Sequence, residues 1–391
     1  NHDIARDGQE MMLNSDLCLV FTEDKDGNEQ LDASLEQCCT WPFAADVLTA
    51  IDEYHDGIYC GVDISEGGNH SHWRTPFNMD DLVVFREQRA ACCRGDGKHA
   101  DCGSVTHPAG PAAQDVHDFA SDEQIWLEVF AEAWAIVTSN GFNNLKPLED
   151  CPAPVFEDVA YPSQVMVCTA GEAALTTAHM TNCMYDEIVE SVHGLMDGLP
   201  KTCDETTCPQ ADFAGCALRM TGHDLMDFDP VRGNGGTDGC TNMLEADNAG
   251  LAPCLHEGEF GVSLHDAYVH FCTEVSLADF LVISAEAVMT YTRDIYLEEF
   301  PDRSSMDFRS NFKFGRKTER ECAFAAHVLP NPEGSCNEVE RVFIHNLGLD
   351  WEQAASLMGV HSLGRARMEN SGYDGFWSSP ENSRRFNNNY F

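Results

Sequence analysis

Positive charge is scarce in this sequence of 391 residues. It has 23 lysines and arginines against 66 aspartates and glutamates, and the formal net charge of −43 is spread along the chain. Such a polyanion repels phosphate, so the composition excludes a nucleic-acid binder and argues against binding to an anionic membrane surface. It suits a protein in a salty, calcium-containing medium, in which cations screen the self-repulsion.

Long apolar runs are also missing. No stretch of 18 consecutive apolar residues occurs, so no segment is predicted to span a membrane. The sequence begins at Asn1 with neither a methionine nor a signal-like apolar segment, which indicates a processed form. Hydrophobic residues still make up 43% of the chain, enough for at least one large core, and the length predicts two or three structural units.

Cysteine is abundant. The chain has 18 cysteines, with vicinal pairs at Cys38–Cys39 and Cys92–Cys93, more than a cytosolic enzyme of this size would carry. We therefore expect disulfide bonds and a secreted location, either extracellular or at the cell surface. Zinc held by the second pair together with His99 and Cys102 is the alternative, but the sequence contains no CxxC pair.

An irregular region is predicted at about residues 22–114, which are rich in Gly, Asp, Cys and His. A stretch of this length without regular structure indicates a disulfide-rich insertion or a binding loop. Its first part resembles an EF-hand calcium loop, although Glu29 replaces the turn glycine and Leu35 replaces the bidentate acid. An acidic, solvated turn is the alternative. The residues at calcium-ligand positions are Asp24, Asp26, Asn28 and Asp32.

The rest of the sequence is predicted to be mainly helical. The pattern of residues 118–140 predicts an amphipathic helix, and Ser121 with Gln124 could form a capping box at its start. Its apolar face would include Ile125, Val129, Trp134 and Ile136. A proline-rich linker follows at 148–164. Further helices are expected at 183–199, 210–226, 275–290, 336–347 and 351–360.

Two helical segments carry residues suited to chemistry. Arg219 and His223 are four positions apart and therefore project from one face of a helix. An imidazole and a guanidinium so placed suit heterolysis of a peroxide, in which a proton moves between oxygens and negative charge develops on the leaving oxygen. His361 ends an apolar helical run, and a neutral imidazole presented in this way can hold a haem iron. Alone, each pattern is common, and a single histidine at a helix end is more often a satisfied core residue.

Taken in order, several segments resemble the plant/fungal/bacterial haem peroxidase superfamily, nearest to its cytochrome c peroxidase/ascorbate peroxidase branch. They are LRMTGHD (218–224), GGTDG (235–239), DNAGL (247–251), SLADFLVISAEAV (276–288), FGRK (314–317), GVHSLGRARMENSGYDGFW (359–377) and FNNNYF (386–391). The resemblance implies a mainly α haem-peroxidase-like fold with a disulfide-rich irregular insertion. It also implies haem b as the cofactor, hydrogen peroxide as the substrate and a reductant that the sequence does not identify.

The resemblance assigns a role to each matching residue. It makes Arg219 the arginine above the haem and His223 the acid/base, with Asn248 as the hydrogen-bonding partner of His223. On the other side of the haem it makes His361 the iron ligand. Trp377 corresponds to the tryptophan that lies against the ligand imidazole and carries a radical in some members of the family.

A further aspartate is required by the resemblance, to accept the N–H of the iron-bound histidine. In the family it follows the FNNNYF segment, but here residues 11–16 (MMLNSD) resemble that segment and make Asp16 the candidate. Residues 1–147 therefore resemble a peroxidase tail and residues 165–391 a peroxidase front. Three explanations stay open: a circular permutant, a unit processed from tandem repeats, or a unit completed by its neighbour in a homo-oligomer or filament.

The sequence departs from the family pattern around the distal helix. Gly222 stands before the histidine where the family has Trp or Phe, which would open the pocket. A distal calcium site would use Asp224, Gly236 and Asp238, but Cys240 occupies the place of a further serine ligand. An acidic loop without calcium is the alternative.

Two hypotheses of function follow. The first is a secreted haem peroxidase that reduces hydrogen peroxide and oxidises a donor. The second is an extracellular structural or assembly protein, such as a filament or matrix repeat, built on the same fold. The presence of every charged and ligand position of the family pattern favours the first, which we take as the main hypothesis. The glycine before the histidine, the displaced tail, the cysteine-rich insertion and the extreme charge favour the second, which is the alternative.

Overall fold

A computed structural model of the chain describes residues 14–17, 19, 110–152, 173–204, 207–256, 260–322, 328–331, 336–367, 370 and 375–391. Most of the predicted insertion at 22–114 lies outside the described residues. The weak calcium loop (Asp24, Asp26, Asn28, Asp32) and the zinc alternative lie outside them as well.

The described part is mainly α-helical, as predicted. Its α-helices are α1 (Asn14–Leu17), α2 (Ala113–Ser121), α3 (Glu123–Val137), α4 (Asn182–Gly198), α5 (Pro209–Met226), α6 (Ala252–Leu255), α7 (Leu264–Tyr268), α8 (Leu277–Glu299), α9 (Cys336–Val339) and α10 (Trp351–Met358). A π-helix spans Glu340–Asn346, and 3₁₀ turns span Ala246–Asn248, Gly359–Ser362 and Asn382–Arg384.

Strands in the described residues form two short antiparallel pairs. β1 (Lys146–Pro147) pairs with β2 (Lys313–Phe314), and β3 (Arg365–Ala366) pairs with β4 (Gly375–Phe376). The first pair joins the early part of the chain to the later part, because its strands are far apart in sequence. No helix in the described part has both the length and the apolar character needed to cross a membrane.

Helix α8 is the centre of the core. Every residue from Ala278 to Met289 is buried, and the helix packs against α4 and α5. A helix that is apolar on nearly all sides must be covered on all sides, which is why its neighbours surround it. Its two charged residues in this stretch, Asp279 and Glu286, both have partners: Asp279 pairs with the buried Arg316, and Glu286 accepts two hydrogen bonds.

The predicted helix at 118–140 is instead two helices. Ser121 ends α2, and Asp122 caps α3 by accepting a hydrogen bond from the backbone N–H of Gln124, so the predicted capping box was wrong. The predicted apolar face was also wrong in part, because Ile125 and Ile136 are about 40% and 37% exposed. The buried face is Trp126, Leu127, Phe130, Ala133, Trp134 and Val137.

Helix α3 packs against α10, the helix that leads to His361. The indole N–H of Trp126 donates to the carbonyl oxygen of Ser356 at 3.0 Å. A methyl group on Gly359 would lie 2.6 Å from that indole nitrogen, so only glycine fits there. The segment before residue 147 therefore supports the turn that carries His361.

Disulfide bonds hold the described loops, as the cysteine content predicted. Four pairs are Cys151–Cys183, Cys203–Cys208, Cys216–Cys254 and Cys240–Cys322. Every cysteine within the described ranges is disulfide-bonded. The first pair fixes the start of the predicted linker to α4, while the domain boundaries at 147 and 165 stay predictions.

Candidate active site

Arg219 and His223 lie together on one face of α5, as their spacing predicts. Proline at the first helical position, Pro209, starts this helix without losing a hydrogen bond. The Nε–H of Arg219 donates to Nε2 of His223 at 3.2 Å. The terminal nitrogens of the guanidinium donate to the carbonyl oxygens of Asp247 and Ala249, both at 2.6 Å. The guanidinium is therefore fixed beside the imidazole.

Asn248 sets the tautomer of His223. Its amide N–H donates to the carbonyl oxygen of Asn242 at 2.9 Å, so its Oδ1 is turned toward the ring. Nδ1–H of His223 donates to that Oδ1 at 2.8 Å. The proton is thereby held on Nδ1, and the lone pair of Nε2 faces Arg219.

The protonation of His223 follows from its surroundings. Burial, and to a smaller extent the neighbouring Arg219, lower the pKa of His223 to about 3 against the opposing effect of the hydrogen bond to Asn248. Burial also lowers the pKa of Arg219. The imidazole is consequently neutral at ordinary pH and can act as a base.

His361 lies in the 3₁₀ turn that follows α10. A capping box at Asp350 and Gln353 starts that helix. Nδ1–H of His361 donates to Oδ1 of Asp16 at 3.2 Å, across 345 positions of sequence. In the described part of the chain, Nε2 of His361 makes no hydrogen bond, so this nitrogen is left available as a ligand.

Asp16 and Trp377 surround the ring of His361. Asp16 is buried and also accepts a hydrogen bond from the hydroxyl of Tyr390 at 2.8 Å. The indole of Trp377 stacks on the imidazole, with ring centroids 4.1 Å apart and planes 11° apart. Burial, and then the charge of Asp16, raise the pKa of Tyr390 well above its usual value. Tyr390 therefore stays protonated and keeps donating to the carboxylate.

The two histidine-bearing segments meet at a pair of glycines. A Cβ on Gly215 or on Gly364 would lie 2.9 Å from the Cα of the other glycine. His223 follows Gly215 by eight residues, about 12 Å along the helix axis. His361 lies only three residues before Gly364. The contact thus holds α5 against the turn of His361, with the Arg219 and His223 side chains farther along the helix.

These residues fit a haem. One side provides a histidine nitrogen with a carboxylate behind it, the arrangement that orients a metal-ligating imidazole and raises its basicity. The other provides a neutral base and a fixed cation. Gly222 lies on the same face of α5 as Arg219 and His223, and a Cβ added there would meet no atom within 4 Å, so the space beside this pair is open.

The predicted distal calcium residues lie in a carboxylate cluster after α5. Burial raises the pKa of Asp224 well above its usual value, and the charge of Asp238 raises it further. Burial likewise raises the pKa of Asp227 to about 7 and that of Asp238 to about 6. Oδ1 of Asp224 is buried without a hydrogen-bond partner. Gly236 donates its N–H to Asp227 at 2.7 Å, and its carbonyl oxygen accepts from the N–H of Asp238 at 2.5 Å.

No group of three or more His, Cys, Asp or Glu side chains in the described ranges has the arrangement to hold a metal ion. The calcium site therefore stays a prediction. The place of the expected serine is taken by Cys240, whose disulfide to Cys322 already fixes this loop.

Three residues of the site were not identified individually from the sequence. Tyr390 was visible only as part of the FNNNYF segment, and its hydrogen bond to Asp16 spans 374 positions. Asn242 acts through its backbone carbonyl, which no side-chain pattern reveals. Asp227 could have been found, because it stands three residues after Asp224 on the same helix face.

Comparisons with known proteins agree with this geometry. The profile of the Peroxidase family matches residues 200–390. A protein named probable L-ascorbate peroxidase 3, peroxisomal, of Oryza sativa subsp. japonica is 25% identical over 178 residues, 44% of this chain and 53% of that protein. The cytosolic L-ascorbate peroxidase 2 of the same plant is 28% identical, over 46% of this chain and 65% of that protein.

A mitochondrial cytochrome c peroxidase of Aspergillus fumigatus is 23% identical over 185 residues, 45% of this chain and 44% of that protein. The chain spans about half the length of the curated relatives it matches.

Proposed function

Since this chain belongs to the haem peroxidase superfamily through residues 200–390, we propose that it is a haem peroxidase that reduces hydrogen peroxide and oxidises a donor. One observation carries the proposal. The partly buried, neutral His223 is held by Asn248 beside Arg219 on α5, and α5 lies against the turn that carries His361, whose imidazole donates to Asp16.

His361 would hold the haem iron through Nε2. Asp16, by accepting the Nδ1 proton, keeps the imidazole in the tautomer that leaves Nε2 free to bind and makes that nitrogen a stronger donor. When bound, haem supplies the iron that binds the peroxide and the electrons that reduce it. Trp377, stacked on the imidazole, is placed to pass one oxidising equivalent onward.

His223 and Arg219 would move the proton and stabilise charge on the opposite side. Nε2 of His223 would take a proton from one oxygen of the peroxide and return it to the other, the leaving oxygen, which departs as water. The guanidinium of Arg219 stabilises the negative charge that develops on the leaving oxygen as the O–O bond breaks. A donor then supplies two electrons, and with two protons the net products of one peroxide are two waters.

The first test is haem binding. The refolded or secreted chain is titrated with ferric haem and followed by its Soret absorption, with His361→Ala compared with His345→Ala, whose side chain is 67% exposed. We expect loss of the bound spectrum in the first variant alone. A spectrum that survives His361→Ala would refute this assignment of the ligand.

The second test is the reaction with peroxide. His223→Leu should still bind haem but react with hydrogen peroxide about 10²–10⁴ times more slowly, the range usual for general acid–base catalysis. Stopped-flow absorption measures this rate. Haem binding without any reaction of the unaltered chain with peroxide would favour the structural or assembly function instead.

The identity of the electron donor can be tested with the same assay. The relatives' names give ascorbate and cytochrome c as donors of those proteins. The net charge of −43 attracts a cationic donor and repels an anionic one. We therefore propose that turnover with a cationic donor falls as the salt concentration rises, while turnover with ascorbate does not.

We propose further that the chain works outside the cell, and the disulfides among its described cysteines support this. Fractionation of the source cells followed by blotting tests the location. Mass spectrometry of the native chain, with sequencing of its termini, separates a circular permutant from a processed repeat. Native mass measurement shows whether a homo-oligomer or a filament neighbour completes it.

A further inference from the structure

We propose that Trp134, Glu286 and Tyr185 form a second oxidation site, remote from the haem, at which the protein gives up electrons to the haem and recovers them from a donor. The proposal rests on the peroxidase function. Glu286 is a buried carboxylate that has no role in the reaction of the haem site with peroxide.

Glu286 joins two oxidisable side chains. Its Oε1 accepts a hydrogen bond from the indole N–H of Trp134 at 2.9 Å, and its Oε2 accepts one from the hydroxyl of Tyr185 at 2.7 Å. The three residues come from α3, α8 and α4, and all are buried. Each carboxylate oxygen of Glu286 thus accepts a hydrogen bond from a group that becomes more acidic when it loses an electron.

The carboxylate has no ion pair among the described residues. The nearby buried cations are already paired, Arg316 with Asp279 and Arg293 with Glu123. Burial raises the pKa of Glu286 to about 7, although its two donors lower it. Burying this carboxyl group costs solvation energy. Because it exchanges a proton near neutral pH, it is suited to accept a proton from Trp134 or Tyr185.

Aromatic rings connect this cluster to the haem side. The ring of Tyr390 lies 5.7 Å from that of His361 and 5.0 Å from that of Phe391. Phe391 lies 5.9 Å from Trp126, which reaches Trp134 through Phe130 at 5.8 and 6.1 Å. Tyr390, Trp126 and Trp134 are the oxidisable rings in this series, with a phenylalanine between each pair.

The hydrogen-bond partners of the two indoles make Trp134, rather than Trp126, the end point of this series. The indole N–H of Trp126 donates to a backbone carbonyl, which cannot take a proton. Oxidation of Trp126 is therefore not stabilised by deprotonation. At Trp134 and Tyr185 the proton can pass to Glu286, which lowers the free energy of the oxidised state.

The site also reaches the surface. Trp134 and Glu286 line a small recess that includes the exposed side chains of Asn311 and Lys313. An electron donor at the surface over this recess would lie close to the buried indole of Trp134 without access to the haem.

Tyr185 loses one electron through Trp134 and the aromatic series to the oxidised haem site, whose oxidising equivalents come from hydrogen peroxide. Its hydroxyl proton moves to Oε2 of Glu286. A one-electron donor at the recess then reduces Tyr185, and the proton returns from Glu286 to the phenol oxygen.

The experiment is freeze-quench electron paramagnetic resonance of the haem-loaded chain after one equivalent of hydrogen peroxide, without a donor. Products of oxidation are mapped in parallel by mass spectrometry. Tyr185→Phe, Trp134→Phe and Glu286→Gln are compared with the unaltered protein. The glutamine keeps the size of the side chain and can accept from Trp134, but it cannot take the proton of Tyr185.

Matched controls exist for both rings. Tyr268→Phe removes a partly buried phenol whose hydroxyl donates to the carbonyl of Val275 at 3.1 Å, and Trp351→Phe removes a partly buried indole outside the aromatic series. We expect a tyrosyl signal that is lost in Tyr185→Phe and Glu286→Gln and unchanged in both controls. The rate of the haem reaction with peroxide should be the same in all five variants.

Two results would overturn the proposal. A signal that persists in Tyr185→Phe and Trp134→Phe, or that falls equally in the controls, would place the oxidation elsewhere while leaving the peroxidase function intact. Absence of any change in the Soret band on addition of peroxide would refute both, because no oxidant would then reach the cluster.

Discussion

At the scale of single residues, the side-chain amide of Asn248 controls the base. It is itself fixed by the carbonyl of Asn242, so it can present only its oxygen to His223. The imidazole then has one tautomer, and its basic nitrogen lies beside Arg219. Burial keeps the ring neutral, since the charged form would lose its hydration.

This arrangement predicts an unusual pH dependence. The pKa of His223 is lowered to about 3, so the neutral, active form persists as the pH falls from 8 to about 4 and is lost only near 3. The rate of reaction with peroxide should therefore be flat over that range. Stopped-flow measurement checks this, with the Soret band followed to confirm that haem stays bound.

A variant tests the tautomer, because loss of the hydrogen bond to Asn248 lowers the pKa of His223 further and leaves the ring neutral. Asn248→Ala should slow the reaction by roughly 10–100-fold, the usual cost of removing a partner that orients a functional histidine. Asn182→Ala, at a half-buried asparagine that begins α4, should not slow it. In the unaltered protein, a rate of reaction with peroxide that falls with a midpoint near pH 6.5 would contradict the lowered pKa and indicate that His223 is exposed to solvent.

At the scale of elements, α3 is anchored at both ends by buried polar groups. At its start, Glu123 forms two hydrogen bonds with Arg293 of α8, at 2.8 and 2.9 Å. Near its end, Trp134 donates to Glu286 of the same helix. Between these points Trp126 contacts the carbonyl of Ser356 in α10. Helix α3 therefore fixes the position of the helix before His361 relative to the core.

Loss of the first anchor should be costly. Glu123→Ala leaves Arg293 buried without its countercharge, and breaking a buried pair in this way costs about 3–5 kcal/mol of unfolding free energy. Asp186→Ala breaks an exposed pair with Arg309 and should cost about 0–1 kcal/mol. Denaturant unfolding of both variants makes the comparison. Equal losses would contradict the role assigned to the buried pair.

At the scale of the whole molecule, charge and chain order are the dominant features. A net charge of −43 opposes folding through self-repulsion, which salt screens. Among the described residues, three carboxylates are buried together at Asp224, Asp227 and Asp238, where burial and then repulsion by neighbouring carboxylates raise their pKa values. A cation bound there would relieve this repulsion.

Calcium should therefore stabilise the protein beyond its effect as a salt. We expect a higher melting temperature in calcium chloride than in sodium chloride of equal ionic strength, and we expect chelation to abolish the difference. Asp224→Asn should reduce the difference, whereas Asp302→Asn, at an exposed loop, should not. Equal melting temperatures in the two salts would show that the acidic loop binds no calcium.

The local patterns of the sequence determined the helices and the pairs of residues within them. The spacing of Arg219 and His223 placed them on one face because an α-helix repeats every 3.6 residues. Runs of apolar residues predicted α4, α5 and α8, and the cysteine content predicted the disulfides. The resemblance of short segments, each continuous in sequence, supplied Asn248, His361, Trp377 and even Asp16 as candidates.

Only the tertiary structure decided what depends on contacts between distant segments. The break at Asp122 and the buried face of α3 follow from packing against α10 and from hydrogen bonds to α8, since a helix with apolar residues on several sides has no unique buried face in isolation. Tyr390 reaches Asp16, and Trp134 and Tyr185 meet at Glu286, across more than 100 positions of sequence. Burial then set the pKa of His223 and of Glu286, because the cost of desolvating a charge depends on everything that surrounds it.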